Sequence, residues 1–101
     1  YPSKIVLLMD ENTASSGELF TMVARQSKKV TVMGQNSYGM MDYGNVVQYK
    51  TACPSIRLML PIDRMLWLDT GFSVDKEGLK PDIYQKGEDL EAQAKQFLSR
   101  P

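Results

Sequence analysis

Ser15 is the residue whose surroundings in the sequence best suit nucleophilic chemistry. It follows an apolar run at residues 5–9 and a polar turn, and it comes directly before residues with helical spacing. A serine at such a strand–turn–helix junction has the N–H of Ser16 and the positive end of the helix dipole close to its hydroxyl. These two groups could stabilise an oxyanion that forms on a substrate carbonyl. The simpler interpretation is a capping box, in which Ser15 only caps the helix and Glu18 reaches back to its amide.

Groups that could activate Ser15 are scarce in this chain. It contains no histidine, which excludes an internal Ser-His-Asp triad, a Cys-His pair and a histidine metal site. Lys28 and Lys29 follow the predicted helix at the end away from Ser15, and a helix of ten residues is about 15 Å long. We therefore expect both lysines to be solvated, where they complement the helix dipole. A serine hydroxyl without a base is a weak nucleophile at neutral pH.

Two further residues could do chemistry, and each has a simpler interpretation. Residues 68–71 read Leu-Asp-Thr-Gly, which resembles the active-site segment of retroviral-type aspartic proteases, where Asp69 and its copy would share a proton. However, Phe72 follows where a small residue is usual, the expected downstream apolar segment is missing, and Asp-Thr-Gly is a common turn. Cys53 has no base or metal partner, so we interpret it as a structural or incidental thiol. No metal-binding or phosphate-binding spacing is visible, so we predict no cofactor and no metal.

The composition is that of an ordinary globular domain. Of the 101 residues, 43% are apolar and 24% are charged, and twelve basic residues balance twelve acidic ones. A net charge of zero provides no overall attraction for nucleic acid or an anionic membrane. No apolar run approaches the roughly 20 residues of a membrane helix. The length predicts one domain, and the start without a methionine suggests a piece of a longer protein.

The elements that would position Ser15 form a strand–helix–strand unit. The run Ile-Val-Leu-Leu-Met at residues 5–9 predicts a strand covered on both faces, as in a parallel sheet. Helical spacing predicts a helix over 16–26, and residues 30–33 predict a second strand that Gly34 ends. Together these elements have the size of a βαβ unit.

The remaining chain predicts more strands and a second helix. The expected elements are a loop at 35–44, strands at 46–49, 56–60 and 65–68, a turn at 69–71, and a loop at 78–83 that ends extended. Apolar residues spaced at i, i+4, i+7 and i+8 predict an amphipathic helix over 88–99. The fold class is therefore α/β, with a mixed sheet and two helices.

Three segments of the chain, in order, resemble a known family of serine peptidases. They are residues 12–20 (NTASSGELF), 30–39 (VTVMGQNSYG) and 78–83 (GLKPDI). These segments are similar to the C-terminal processing (tail-specific) proteases and the tricorn protease. The resemblance implies a crotonase- or ClpP-like α/β fold and a serine endopeptidase that cleaves extended peptides or protein C-termini. It also implies that residues 1–101 are a single-domain fragment, the C-terminal part of a catalytic domain, with 88–99 as its terminal helix.

The resemblance assigns roles to individual residues. The nucleophile falls on Ser15, and the amide of Ser16 forms half of the oxyanion hole, with the second amide from outside this chain. The tail-specific proteases carry a general-base lysine where this chain has Met40, which cannot take a proton. One interpretation is a tricorn-type enzyme, whose base is a histidine from before this segment and whose acidic residue falls on Asp75. The other is a peptidase-like protein that has lost catalysis. For Asp75 itself, an ordinary turn residue is the open alternative to a catalytic role.

The resemblance also implies partners and a location. The partners are a peptide or protein substrate and the upstream remainder of the same chain, without which we expect the segment to be inactive. The family resemblance also implies an exported protein, either periplasmic or lipid-anchored.

A sheet cut from a larger domain leaves an apolar face or edge uncovered, which predicts a homo-oligomer. A non-catalytic peptide-binding or structural domain is the alternative.

Overall fold

The chain forms two sheets, two α-helices and a 3₁₀ helix, which a computed structural model describes over residues 2–101. In chain order the elements are β1 (Ile5–Met9), α1 (Ser16–Ala24), β2 (Val30–Gly34), β3 (Tyr43–Lys50), β4 (Arg57–Arg64), the 3₁₀ helix (Leu66–Thr70), β5 (Ile83–Tyr84) and α2 (Leu90–Ser99). One sheet has the order β1-β2-β5, and the other pairs β3 with β4. Over residues 2–101 the parallel and antiparallel pairs thus occupy separate sheets, and the prediction of one mixed sheet is wrong.

The predicted βαβ unit is confirmed. Strands β1 and β2 are parallel, with Ile5 opposite Val30 and Met9 opposite Gly34. Helix α1 connects them and ends two residues before its predicted end. A Cβ at Gly34 would overlap the Met9 carbonyl oxygen, so glycine is required where the two strands end. Strand β5 then adds parallel to β2, which confirms that the 78–83 loop ends extended.

The apolar core lies where the strands of the parallel sheet meet the loops that follow them. Its buried cluster consists of Met9, Val32, Met41, Val74 and Leu79. Three of these residues come from loops, so the segments around residues 41 and 74–79 are fixed by burial rather than by strand pairing. The prediction that β1 is covered on both faces is wrong, because Ile5 and Leu8 are each 40% exposed.

Strands β3 and β4 form a long antiparallel hairpin. Tyr43 lies opposite Arg64, and Lys50 lies opposite Arg57. Both strands are longer than predicted, and β4 continues through Pro61 instead of ending before it. Proline is tolerated there because β4 is an edge strand, whose outward N–H groups need no partner. All eight residues of β4 are exposed.

The strand predicted over residues 65–68 is also wrong, since this segment starts a 3₁₀ helix. Two local bonds favour the tight turn: the Thr70 hydroxyl donates to the Trp67 carbonyl oxygen, and the Gly71 amide donates to the Leu68 carbonyl oxygen. Gly71 has φ 82°, which ends the turn. Helix α2 confirms the helix predicted over 88–99, begins two residues later than expected, and packs on β1. No helix within residues 2–101 is long and apolar enough to span a membrane.

Candidate active site

The candidate nucleophile Ser15 lies in the turn between β1 and α1. It is exposed, and its backbone has φ 51° and ψ −113°. A positive φ is unfavourable for a residue with a Cβ and persists where the surrounding structure enforces it. Such a strained turn between a strand and a helix presents a serine hydroxyl at a nucleophile elbow. In the described chain, Ser15 is therefore accessible to solvent.

Ser16 is the first residue of α1, and its N–H adjoins Ser15. First-turn amides have no acceptor inside a helix, and no other acceptor within residues 2–101 bonds this one. The Ser15 amide donates to a Glu18 carboxylate oxygen at 2.8 Å, which is one half of the predicted capping box. The other half, between the Glu18 amide and the Ser15 hydroxyl, is also present, which confirms the capping box, but this contact is too loose to count as a hydrogen bond. Capping therefore leaves the hydroxyl available for another contact.

Glu18 is fully buried, and its carboxylate collects hydrogen bonds from two parts of the chain. Besides the Ser15 amide, it accepts the Ser37 hydroxyl at 2.6 Å and the amides of Gly39 at 2.7 Å and Met40 at 3.0 Å. The capping box predicted from the sequence accounts for only the first of these four bonds. The others join residues 19 to 22 positions apart, which no local spacing signals.

Met40, which stands where the resemblance places a base lysine, adjoins Ser15. The Met40 and Ser15 amides donate to the same Glu18 oxygen, Oε2, so their backbones are neighbours. The Tyr38 amide also donates to the Thr13 carbonyl oxygen at 2.8 Å, which joins this loop to the turn before Ser15. The Met40 side chain is 51% exposed. Its thioether is only a weak acceptor, so it cannot serve as a general base.

Asp75 fixes the backbone just after Met40 and forms no hydrogen bond with Ser15 in the described chain. Its Oδ1 accepts the amides of Met41 at 2.8 Å and Asp42 at 2.9 Å. Both bonds use one oxygen, and the residue is half-buried. The structure thus places Asp75 next to the loop that adjoins the candidate nucleophile Ser15, with that loop between the two residues.

Asp42 is a buried carboxylate that the sequence analysis missed. Its oxygens accept four donors from residues 67–75: the Trp67 indole N–H, the Ser73 hydroxyl, and the amides of Val74 and Asp75. Burial raises the pKa of this carboxyl, but these hydrogen bonds outweigh burial and lower the pKa from 3.8 to about 2. Because all four partners lie at least 25 positions away, no local pattern marks Asp42.

Asp82, the acidic residue of the Pro-Asp pair after residues 78–80, has a structural role. Its Oδ2 accepts the Val32 amide at 2.8 Å, and its Oδ1 pairs with Arg25 at 2.7 Å. The Val32 hydrogen bond is the main cause that lowers the pKa of Asp82, against the opposing effect of burial, and Arg25 lowers it further. Asp82 therefore ties the segment before β5 to β2 and to the end of α1.

The other candidates from the sequence lie away from this site. Asp69 is exposed and pairs with Arg64 at 2.8 Å, as a turn residue would. Cys53 is an exposed free thiol near the tip of the hairpin. Lys28 and Lys29 are exposed just beyond α1. In the part of the chain that the structure describes, no three or more His, Cys, Asp or Glu side chains are grouped to hold a metal ion.

Comparisons with known proteins support the resemblance. The model of peptidase family S41 matches residues 1–85, which includes Ser15, Met40 and Asp75. A comparison with individual curated proteins finds no match. The match covers most of the chain, so the chain belongs to peptidase family S41, the family of C-terminal processing peptidases.

Proposed function

We propose that this chain carries the nucleophile of a serine endopeptidase, and that the nucleophile is Ser15. Membership of peptidase family S41 supports a peptidase. The observation that carries the residue assignment is the exposed Ser15, held at a positive φ directly before the first turn of α1. This position suits acyl transfer, because the neighbouring Ser16 amide lacks an acceptor within residues 2–101 and can donate to an oxyanion.

In the proposed reaction, the Ser15 Oγ attacks the carbonyl carbon of a peptide bond while a base accepts its proton. The carbonyl oxygen becomes an oxyanion, to which the Ser16 N–H donates as one half of the oxyanion hole. The carbon–nitrogen bond then breaks, the leaving amine takes the proton from the base, and an acyl-enzyme remains on Ser15. Water attacks this ester, which releases the second product and restores the hydroxyl.

The base in this proposal is a histidine from a part of the protein outside residues 1–101. The sequence contains no histidine, and Met40 cannot take a proton. Asp75 is proposed to orient or polarise the base. Its two hydrogen bonds both use Oδ1, which leaves Oδ2 to accept a further donor. Residues 1–101 alone are therefore expected to be inactive.

The proposed substrate is an extended peptide or a protein C-terminus. Strand β1 leads directly into the turn that holds Ser15, and within residues 2–101 it pairs with another strand on only one side. The outer edge of β1 can accept an added strand through backbone hydrogen bonds. Such a strand would bring its scissile bond toward the turn at the end of β1.

A fluorophosphonate probe tests the nucleophile, because it reacts with an activated serine. We expect the full-length protein to carry one adduct, located at Ser15 by peptide mass spectrometry, and the Ser15→Ala variant to carry none. Ser27→Ala is the matched control, since Ser27 is an exposed serine just past the other end of α1. It should react like the wild type. A folded full-length protein that stays unlabelled would contradict the proposal.

A non-catalytic peptide-binding or structural domain is the second candidate, and Met40 is the observation that favours it. The variant Met40→Lys separates the two candidates, because it adds an amine beside Ser15. If only this variant reacts with the probe, the wild-type site has lost its base, which supports the non-catalytic domain. If the wild type reacts as well, the peptidase stands. Met59→Lys, which adds the same charge at an exposed hairpin position, is the control.

A further inference from the structure

Glu18 is a buried charge for which the proposed reaction has no role. None of its surface is exposed, and no cation pairs with it among the described residues. Burying a carboxylate without a cation is costly unless hydrogen-bond donors surround it. Helix capping alone does not explain the burial, because a surface glutamate at the same position of a helix makes the same capping bond.

The four donors divide evenly between the two carboxylate oxygens. Oε2 accepts the amides of Ser15 at 2.8 Å and Met40 at 3.0 Å. Oε1 accepts the Ser37 hydroxyl at 2.6 Å and the Gly39 amide at 2.7 Å. Three of these bonds are short, and only the Met40 bond has an ordinary length. One side chain thus holds the nucleophile turn and the loop 37–40 together.

Ser37 extends the connection to a third segment. Its hydroxyl donates to Glu18 and accepts the Leu79 amide at 2.7 Å. Its own amide donates to the Leu79 carbonyl oxygen at 3.0 Å. Glu18, Ser37 and Leu79 belong to the three segments on which the family resemblance rests, so a single chain of hydrogen bonds joins all of them.

We propose that Glu18 is a positioning residue for Ser15, an inference that rests on the proposed function. The bond from the Ser15 amide to Oε2 restrains rotation about φ at the residue that has the unfavourable value of 51°. The bonds to Gly39 and Met40 hold the neighbouring loop against the same turn. Glu18 touches no reacting atom, and it acts by keeping the Ser15 hydroxyl and the space before it in one arrangement.

The variant Glu18→Gln tests whether the hydrogen bonds of Glu18 position Ser15, or whether the side chain only fills space. It keeps the size of the side chain but replaces one acceptor oxygen with an NH₂ group, so two of the four donors lose their acceptor. Ser37→Ala is the milder variant, since it removes one bond to Glu18 and one to Leu79. Thr21→Val is the matched control: Thr21 is buried in the same helix, and its hydroxyl donates only to the Gly17 carbonyl oxygen.

The test measures fluorophosphonate labelling of the full-length protein at several probe concentrations, which separates probe binding from the chemical step. All variants are compared at a temperature where thermal unfolding shows each to be folded. We expect Glu18→Gln to slow the chemical step by about 10–100-fold, the size of effect that a small misplacement of a reacting group produces. Ser37→Ala should slow it less. Thr21→Val should match the wild type even where it lowers the melting temperature.

Two results would overturn the inference: labelling of Glu18→Gln at the wild-type rate, or an equal loss in Thr21→Val. If the wild type does not label at all, the proposed function fails, and amide hydrogen exchange then decides about Glu18. Exchange at Ser15, Gly39 and Met40 should accelerate in Glu18→Gln and stay unchanged in Thr21→Val. Unchanged exchange at these three amides in Glu18→Gln would show that Glu18 does not position the turn.

Discussion

The two sheets of this protein are stabilised in different ways. Around the parallel sheet, buried carboxylates bind backbone amides that lie far away in the sequence, as Glu18 does with residues 39–40 and Asp42 with residues 74–75. The hairpin β3–β4 is stabilised by its own ladder and exposes every residue of β4. Because the catalytic candidates all belong to the first region, the site depends on long-range contacts.

Asp42 lies at the junction between the two regions. It directly precedes β3, and its carbonyl oxygen accepts the Met65 amide at 2.9 Å, just after β4 ends. Its side chain meanwhile binds residues 67–75 of the other region. Backbone and side chain of one residue thus attach the base of the hairpin to the loops around the parallel sheet. We therefore expect polar substitutions to lower the free energy of unfolding mainly in the region of the parallel sheet and much less in the hairpin.

The largest expected effect is that of Asp42→Asn. The asparagine NH₂ group would face two of the four donors that now bind the carboxylate, and leaving buried donors unsatisfied costs about 3 kcal/mol in total. The free energy of unfolding from urea denaturation measures this loss. Asp63→Asn in the exposed hairpin is the matched control, with an expected change within about 0.5 kcal/mol. Equal losses in the two variants would remove the distinction between the regions.

The next effect is a dependence of stability on pH that originates at Asp42. Its pKa is lowered in the folded state from 3.8 to about 2. A lowered carboxyl pKa stabilises the folded state above the unfolded value, and this contribution is lost as the pH falls from about 4 toward 2. The shift corresponds to about 2 kcal/mol. Stability measured between pH 5 and 2 should therefore fall less steeply in Asp42→Asn than in the wild type, and parallel curves would contradict this origin.

A smaller effect concerns association through the hairpin. Opposite residues of a ladder share a face, so Val47 with Leu60 and Tyr49 with Leu58 form one apolar face. The predicted homo-oligomer would bury such a face. Leu60→Lys should weaken self-association at least tenfold by sedimentation equilibrium, or about 1.4 kcal/mol, without unfolding the parallel region. Met59→Lys, on the opposite face of the same strand, is the control. A strictly monomeric wild type at high concentration contradicts the predicted oligomer.

The elements that the sequence predicted correctly are those defined by local patterns. The βαβ unit follows from two short apolar runs and a capping box, and α2 follows from its apolar spacing. The 3₁₀ helix at Leu66–Thr70 was mistaken for a strand, because four apolar residues in a row do not distinguish the two structures. Apolar alternation in β4 did not reveal that both faces of the hairpin are exposed, since burial depends on what packs against a strand.

In the candidate site, too, the sequence signalled residues with local patterns and missed those with distant partners. Ser15 and Ser16 became candidates because a strand, a turn and a helix adjoin each other along the chain, and their catalytic roles stay predictions. The roles of Ser37 and Asp42 were missed, because their partners lie 19 or more positions away and polar residues in a loop carry no signal of burial. Asp75 was assigned from the resemblance, and its contact with the loop after Met40 appears only in the folded chain.

The smallest expected effect compares one ion pair from each region. Arg25 pairs with Asp82 beside the parallel sheet and also donates to the Lys80 carbonyl oxygen, with about a third of its side chain exposed. Arg64 pairs with Asp69 at the base of the hairpin, where both side chains are largely exposed. Exposed ion pairs contribute little to the free energy of unfolding, so Arg64→Ala should lower it by less than about 0.5 kcal/mol. Arg25 is less exposed and has a second acceptor, so Arg25→Ala should lower it by about 1 kcal/mol.

Salt separates the two contributions in this last comparison. The Arg64 effect should vanish in about 1 M NaCl, where the Debye length is about 3 Å. Part of the Arg25 effect should persist, because its bond to the Lys80 carbonyl oxygen is a short-range contact and Asp82 remains bonded to the Val32 amide. Urea denaturation of both variants with and without salt gives the two differences. If Arg25→Ala, like Arg64→Ala, no longer changes the free energy of unfolding in salt, the Arg25 pair is a surface interaction like that of the hairpin. The contrast between the regions then does not extend to their ion pairs.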